Sequence, residues 1–350
     1  MSITPTAPLA SAFDIVPPSV QNEGNLREYL TMKKWPEGLQ TAFINNLEKV
    51  PFRFFICDDS GSMATGDGKI AIEYNGAVKA SNCSRWKELT TALLFHAEVA
   101  HRGCIPTEFR FLNACAPLHV GYDITQPPDN YNALVSQLST GSPLGGTPLC
   151  RHINEIAQII RQRTPALLAA GKKAVIIIAT DGEASDGDVR AALRPLKELP
   201  VWIILRFCTN EDKIVDTWNR IDAELELNMD VIDDFFGESG EIGKINPWLT
   251  YAEPLHRLRE FGVTLSELDK IDERLLTIED FVRITKLIFG PVVDSFPPPQ
   301  VDLPAFLTEL EKANALTPKQ FNARTNRLEH WILAKEAQRL YSKGGKCVIS

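Results

Sequence analysis

Two acids and two hydroxyl residues follow an apolar run near position 55. The stretch FFICDDSGSM spans residues 54–63, and within it Asp58, Ser60 and Ser62 are spaced i, i+2, i+4. In a tight loop that leaves a strand, this spacing lets alternate side chains point into one cavity. Three kinds of site use such a loop: a nucleophile loop, a phosphate loop and a metal cradle.

Two further segments carry acid or hydroxyl residues that are predicted to lie near this loop. The sequence TDGE at 180–183 follows the run AVIIIAT, which places Asp181 at the end of a second predicted strand. The sequence GSPLGGTPL at 141–149 is a loop with three glycines and two prolines, and it carries Thr147. Because ligands of doubly wound sheets bind at the carboxyl ends of the strands, we expect these side chains to share one rim.

The assembled set contains two carboxylates and three hydroxyls, so all of its donor atoms are oxygen. Oxygen ligands suit Mg²⁺, Mn²⁺ or Ca²⁺ and disfavour Zn²⁺ and Cu²⁺. Mg²⁺ is the expected ion, and hydroxyl ligands would leave it with positive charge to be neutralised from outside. We therefore expect a protein partner that offers an Asp or Glu carboxylate.

Other chemistries fit the sequence less well. An aspartate-based phosphotransferase, the remote alternative, would want a second carboxylate two residues after Asp58, where Ser60 stands. A serine hydrolase would want a G-x-S-x-G elbow, and a P-loop would want G-x-x-x-x-G-K-[ST]; neither frame surrounds these residues. We therefore expect a protein that is not an enzyme, with no catalytic residues.

The elements that must position these residues alternate between buried strands and helices. Apolar runs predict strands at 52–57, 107–114, 173–182, 201–207 and, at the sheet edge, 228–235. Helical spacing of apolar residues predicts helices at 84–103, 130–140, 148–163, 188–199 and 251–262. This alternation predicts an α/β fold, a doubly wound, Rossmann-like and mainly parallel sheet with helices on both faces.

The chain divides around this predicted domain. We expect an N-terminal helical extension at 1–50, with helix on either side of Pro36, and the α/β domain at 51–291. A Pro-rich linker at 292–303, a basic helical tail at 304–346 and a four-residue terminus at 347–350 complete the prediction.

The separated motifs resemble a known family. Asp58, Ser60 and Ser62 as DxSxS, Thr147 in a glycine-rich loop and Asp181 in TDG resemble the metal-ion-dependent adhesion site of von Willebrand factor A domains. The resemblance covers about residues 51–262. It implies a six-stranded, mainly parallel sheet with one antiparallel edge strand, and metal-dependent protein binding without catalysis. It also implies that the three hydroxyls are ligands and that the two acids bind directly or through water.

One departure from that family follows the first motif. About twenty residues, 64–84, separate DxSxS from the first predicted helix, and an Asn75-Gly76 pair within them predicts a β-hairpin. Our hypothesis is that this hairpin overhangs the metal and shapes the choice of partner.

Composition narrows the function further. The formal net charge is −8 and the pI is about 5.4, which argues against a nucleic-acid partner. The seven cysteines include no CxxC pair, which favours reduced thiols in the cytosol. We find no signal peptide in the first twenty residues and no apolar run long enough to span a membrane.

The last residues, CVIS, match the Cys-aliphatic-aliphatic-Ser pattern of farnesylation at Cys347. Residues 319–346 carry seven basic residues against two acids, a net charge of +5 that would favour an anionic membrane surface. We therefore expect a cytoplasmic adaptor held at a membrane by a lipid. The alternative is a structural scaffold that binds through its helical extensions and has an idle metal site.

Overall fold

The computed structural model describes residues 20–114, 116–122, 129–209, 212–263, 265, 268 and 270–342. Its strands are β1 Arg53–Cys57, β2 Gly68–Tyr74, β3 Ala77–Cys83, β4 Thr107–Phe111, β5 Leu118–Val120, β6 Ala174–Thr180, β7 Val201–Phe207, β8 Met229–Ile232, β9 Gln320–Asn322 and β10 Arg327–Glu329.

The α-helices are α1 Glu23–Met32, α2 Glu37–Leu47, α3 Arg85–Gly103, α4 Tyr131–Thr140, α5 Leu149–Ala169, α6 Val189–Leu193, α7 Asp212–Leu225, α8 Phe235–Ile245, α9 Glu253–Glu260, α10 Ile278–Phe289, α11 Leu303–Leu316 and α12 Ala334–Tyr341. Short 3-10 helices lie at Gly61–Ala64, Arg194–Glu198 and Gly290–Ser295. Within the described residues, no helix combines the length and apolar character needed to cross a membrane.

Six strands form one sheet in the order β5-β4-β1-β6-β7-β8. Strands β4, β1, β6, β7 and β8 are parallel to their neighbours in this series, and β5 is antiparallel to β4. After β1 the chain forms β4 and then β5 on one side of β1. It then forms β6, β7 and β8 on the other side, so the strand order reverses between β1 and β6. The predicted doubly wound, mainly parallel sheet is confirmed, and its antiparallel edge strand is β5.

Helices cover both faces of this sheet. In β1, Phe54 and Ile56 belong to the apolar cluster formed with α5 and α6, and Phe55 and Cys57 belong to the cluster on the opposite face. Both faces of the strand are therefore buried, as its uninterrupted apolar run predicts.

The described segments that flank the α/β domain pack on the face of the sheet that carries α3. Helices α1 and α2 lie on either side of Pro36, as predicted, and the Trp35 ring stacks on Phe95 of α3 at a centroid distance of 5.8 Å. Phe296 and Leu303, from the proline-rich segment and the start of α11, belong to the same apolar cluster as these helices.

The segment after α11 differs from the expected continuous helix. A two-stranded antiparallel sheet, β9 and β10, lies between α11 and α12. Pro318 follows the end of α11, and Asn326 adopts a left-handed conformation with φ 55° in the turn between the strands. Both features favour a turn over a helix because proline lacks an amide proton and asparagine tolerates positive φ.

The insertion at 64–84 contains a β-hairpin, β2 and β3, with its turn at 75–76, as predicted. Its first strand packs along α3, where the Lys69 amide donates to Glu88 at 2.9 Å. The Ala80 amide in its second strand donates to Asn326 at 2.9 Å. The hairpin thus runs beside α3 towards β10. Its effect on the choice of partner stays a prediction.

Candidate metal site at the carboxyl end of the sheet

Asp58 and Asp181 follow the two strands between which the sheet order reverses. Asp58 comes directly after β1 and Asp181 directly after β6, and these strands are parallel neighbours. The Asp58 amide donates to the Ala179 carbonyl at 2.9 Å, which extends the pairing to the first residue of the loop. The sequence motifs therefore meet at the position where doubly wound sheets bind their ligands.

The Asp58 carboxylate links its own loop to the end of β6. It is fully buried; its Oδ1 accepts from the Ser60 amide at 2.9 Å, and its Oδ2 accepts from the Thr180 hydroxyl at 2.6 Å. Both oxygens therefore have protein donors, which favours contact with a cation through water.

Ser60, Ser62 and Asp181 form a connected row of oxygens above Asp58. The two serine hydroxyls lie 2.9 Å apart, and the Ser62 hydroxyl donates to Asp181 Oδ1 at 2.8 Å. Ser60 and Asp181 are buried while Ser62 is exposed, so the row runs from the interior to the surface. A cation entering from solvent would meet Ser62 first.

Thr147 is held between the two acid-bearing loops. Its amide donates to the Ser185 hydroxyl at 3.0 Å, and its carbonyl accepts from the Ser185 amide at 2.9 Å. The Gly145 carbonyl accepts from the Gly61 amide at 3.1 Å, beside the two serines. The structure thus brings all five predicted metal-site residues to one rim of the sheet.

Asp59, to which the sequence assigns no role, clamps the glycine-rich loop. Its Oδ1 accepts from the Asn113 amide at 2.9 Å and from the Asn113 side chain at 2.8 Å. Asn113 also donates to the Gly146 carbonyl at 2.9 Å, and the Asp59 carbonyl accepts from the Leu144 amide at 2.7 Å. Asp59 and Asn113 therefore fix the position of Thr147 through its loop.

Arg85, which the sequence did not single out, also reaches the site. This first residue of α3 donates from Nη1 to Asp181 Oδ2 at 3.0 Å. Its Nε and Nη2 donate to the two carboxylate oxygens of Asp67 at 2.8 and 2.7 Å. A cationic side chain of this protein thus already contacts one of the predicted metal-site carboxylates.

Burial raises and Arg85 lowers the pKa of both Asp181 and Asp67, but the net shift differs between the two acids. Burial raises the pKa of Asp181 above its usual value, although the hydrogen bonds from Ser62 and Arg85 oppose that shift. The hydrogen bonds from Arg85 hold the pKa of Asp67 below its usual value. A buried Asp181 therefore gains from any additional positive charge that comes close to it.

The donor set fits a divalent cation that prefers oxygen. The Ser60 and Ser62 hydroxyls and the Asp181 carboxylate form a connected set, and the loop that carries Thr147 lies beside them. No cluster of three or more His, Cys, Asp or Glu suited to a metal occurs within the described ranges. Ser62 presents an oxygen to solvent, and the hydrogen bonds of its hydroxyl are of the kind that a cation can replace. This chemistry matches Mg²⁺, Mn²⁺ or Ca²⁺.

Comparisons with known proteins find likenesses among solved structures alone. No protein-family model matches the chain, and no curated protein matches it. A solved structure titled "Crystal Structure of the SpRpn10 VWA domain" aligns with 53% of this chain and 89% of that chain, at 12% sequence identity and a TM-score of 0.33. An alignment this weak adds nothing to the strand order described above, on which the fold assignment rests.

Proposed function

We propose that this protein is a non-enzymatic binding module of the von Willebrand A type, which uses a divalent cation, normally Mg²⁺, to capture a carboxylate on a protein partner. The observation that carries the proposal is the row Ser60, Ser62 and Asp181 above the buried Asp58, at the point where the strand order reverses.

Each site residue has a part in this proposal. Ser60, Ser62 and Thr147 would offer neutral hydroxyl oxygens, and Asp58 and Asp181 would bind directly or through water. A bound Mg²⁺ would supply a positive charge that neutral hydroxyls leave only partly balanced. The partner's Asp or Glu would complete that balance, which makes capture of an acidic group the function that these donors suit best.

An exposed leucine lies beside the site. Leu144 is 78% exposed, although its amide is bonded to Asp59 and the next two residues pack against Asn113. A leucine held by a fixed backbone offers an apolar surface without a large cost in loop entropy. We therefore propose that the partner's acid is flanked by an apolar side chain.

A binding role fits the serine hydroxyls better than a catalytic one. The Ser62 hydroxyl donates to a carboxylate, and the Ser60 hydroxyl pairs with Ser62. A serine nucleophile instead needs a base such as histidine, oriented by a third group, and a hole for the developing charge.

Partner capture with and without EDTA tests the proposal. The full chain, its Asp181→Asn variant and an Asp294→Asn control would be immobilised and exposed to a library of acidic peptides in Mg²⁺. Asp294 is an exposed acid paired with Lys286, outside the site. We expect EDTA and Asp181→Asn to abolish capture and Asp294→Asn to leave it unchanged. Capture that survives both treatments would favour a scaffold with an idle site.

Membrane attachment through Cys347 is a further part of the proposal. Cys347 lies outside the described residues, and support comes from the CVIS sequence and the basic residues that precede it. Intact mass after expression in a eukaryotic cell tests it. We expect a farnesyl-sized addition on the natural chain and on Cys104→Ser, and none on Cys347→Ser. An unmodified natural chain would contradict this part alone.

A further inference from the structure

Arg85 lies between a metal-site carboxylate and a carboxylate of the insertion. It is 5% exposed, and its guanidinium contacts Asp181 on one side and Asp67 on the other. The Asp181 side chain is fully buried, whereas the Asp67 side chain is 52% exposed. Arg85 donates to both carboxylate oxygens of Asp67 and to Oδ2 of Asp181, while Oδ1 of Asp181 accepts from Ser62.

The position of Arg85 in its helix is unusual for a cation. It is the first residue of α3, directly after the Ser84 cap, whose side chain accepts from the Lys87 amide at 3.1 Å. The first turn of a helix carries a partial positive charge and favours acids. A buried guanidinium here needs acidic partners, and Asp181 and Asp67 both contact it.

We propose that Arg85 is a resident cation of the site, which competes with the divalent ion for Asp181, and that Asp67 holds Arg85 when the ion enters. The inference rests on the proposed metal site. Two cations that share one buried carboxylate repel each other strongly, because little water separates them. Asp67 already binds Nε and Nη2, so Arg85 can release Asp181 and still keep a bidentate partner.

This arrangement gives the insertion a defined task. The Arg85 amide donates to the Thr65 carbonyl at 2.9 Å, and a Cβ on Gly68 would lie 2.9 Å from the Ser84 carbonyl oxygen. The start of β2 is therefore packed tightly against the start of α3. The insertion holds Asp67 within hydrogen-bond distance of Arg85, so that Arg85 can pair with Asp67 alone when the ion binds Asp181. The insertion thereby tunes the affinity of the site for the cation.

Metal titration of charge variants tests the inference. Mg²⁺ and Mn²⁺ binding to the full chain would be measured by calorimetry for the natural protein, Arg85→Gln, Asp67→Asn and Asp181→Asn. The matched control is Arg102→Gln, which removes another arginine of α3 that pairs with an acid, Glu98. Unfolding curves would show which variants are folded.

We expect Arg85→Gln to tighten Mg²⁺ binding about tenfold or more, a change of the size that residues behind a metal ligand produce. We expect Asp67→Asn to weaken Mg²⁺ binding. Of the two carboxylates, only Asp181 then remains to pair with Arg85, so Arg85 competes more strongly with the ion. Arg102→Gln should leave Mg²⁺ binding unchanged, and Asp181→Asn should abolish it.

The outcomes separate this inference from the proposed function. One outcome is that the natural protein binds Mg²⁺ and folded Arg85→Gln binds it with equal or lower affinity. That result overturns the inference and leaves the metal site in place. Absence of binding in both the natural protein and Arg85→Gln overturns both, as does full binding by Asp181→Asn. If Arg85→Gln does not fold, Asp67→Asn decides: weaker binding supports the inference, and equal or tighter binding overturns it.

Discussion

Thr180 donates a 2.6 Å hydrogen bond to Asp58, so the last residue of β6 fixes the first acid that follows β1. The other carboxylate oxygen of Asp58 accepts from the Ser60 amide. Both Asp58 and Thr180 are buried. Asp58 in the proposed metal site therefore also links the two central strands. Removing its carboxylate should lower the stability of the protein even when no metal is bound.

Replacing Asp58 should destabilise the protein even in EDTA. Asp58→Ala leaves a buried hydroxyl and a backbone amide without their acceptor, which we expect to lower the free energy of unfolding by about 2–4 kcal/mol. Asp58→Asn keeps one acceptor oxygen and should cost less. Urea denaturation measures both. Equal stability of Asp58→Ala and the natural protein would contradict the structural role.

Continuous apolar runs made the central strands predictable from the sequence. A strand buried on both faces, such as β1 or β6, needs no alternation, and the acid and hydroxyl residues directly after each run mark its carboxyl end. The Asn75-Gly76 pair likewise predicted the hairpin because both residues tolerate positive φ, and both adopt it.

Other elements carried weaker signals. Helix α7 was missed, although Ile214, Trp218, Ile221 and Leu225 are spaced as one helical face. The contact of Arg85 with Asp67 and Asp181 joins positions that lie 18 and 96 residues apart from Arg85. No local pattern encodes such a pairing, because the sheet order and the path of the insertion decide it.

A substitution at Gly145 should disturb the loop that carries Thr147. Gly145 has φ 97°, and a Cβ there would lie 2.5 Å from the Asn113 Oδ1 atom. We expect Gly145→Ala to lower the free energy of unfolding by about 1–3 kcal/mol and to weaken Mg²⁺ binding in the same calorimetric titration.

Gly182 provides the matched control for this substitution. It directly follows Asp181, and a Cβ there would meet nothing within 4 Å. Gly182→Ala should therefore leave the free energy of unfolding within about 0.5 kcal/mol of the natural value. If both alanine variants behave alike, the close packing of Gly145 on Asn113 does not position the loop.

Leu144 should affect partner binding and leave metal binding unchanged. Leu144→Ser removes an exposed apolar side chain from the rim, so we expect Mg²⁺ affinity to stay constant. Affinity for a captured acidic peptide should fall about tenfold, the loss expected when roughly 1–2 kcal/mol of apolar contact disappears. Leu316→Ser, at an 89% exposed leucine at the end of α11, is the control. Equal peptide affinity in Leu144→Ser and the natural protein would exclude an apolar contact at the rim.

Asp233 should make stability depend on pH. Its carboxylate lies against Gly237, where a Cβ would come within 2.0 Å of Oδ2, and burial together with the neighbouring Asp234 raises its pKa from 3.8 to about 7. The folded state then keeps a proton that the unfolded chain has lost. Stability from this group is therefore present at low pH and is lost as the pH rises from about 4 through about 7.

Asp233→Asn removes this penalty and keeps an oxygen that can accept from the Asp234 amide, a hydrogen bond of 2.8 Å in the natural protein. We expect the variant to exceed the natural protein in free energy of unfolding by about 1–3 kcal/mol more at pH 8 than at pH 5. Urea denaturation at both pH values gives the difference, and carbon NMR of the Asp233 carboxyl gives its titration directly. A gain that is the same at pH 5 and pH 8 would show that Asp233 ionises in the folded protein as it does in the unfolded chain.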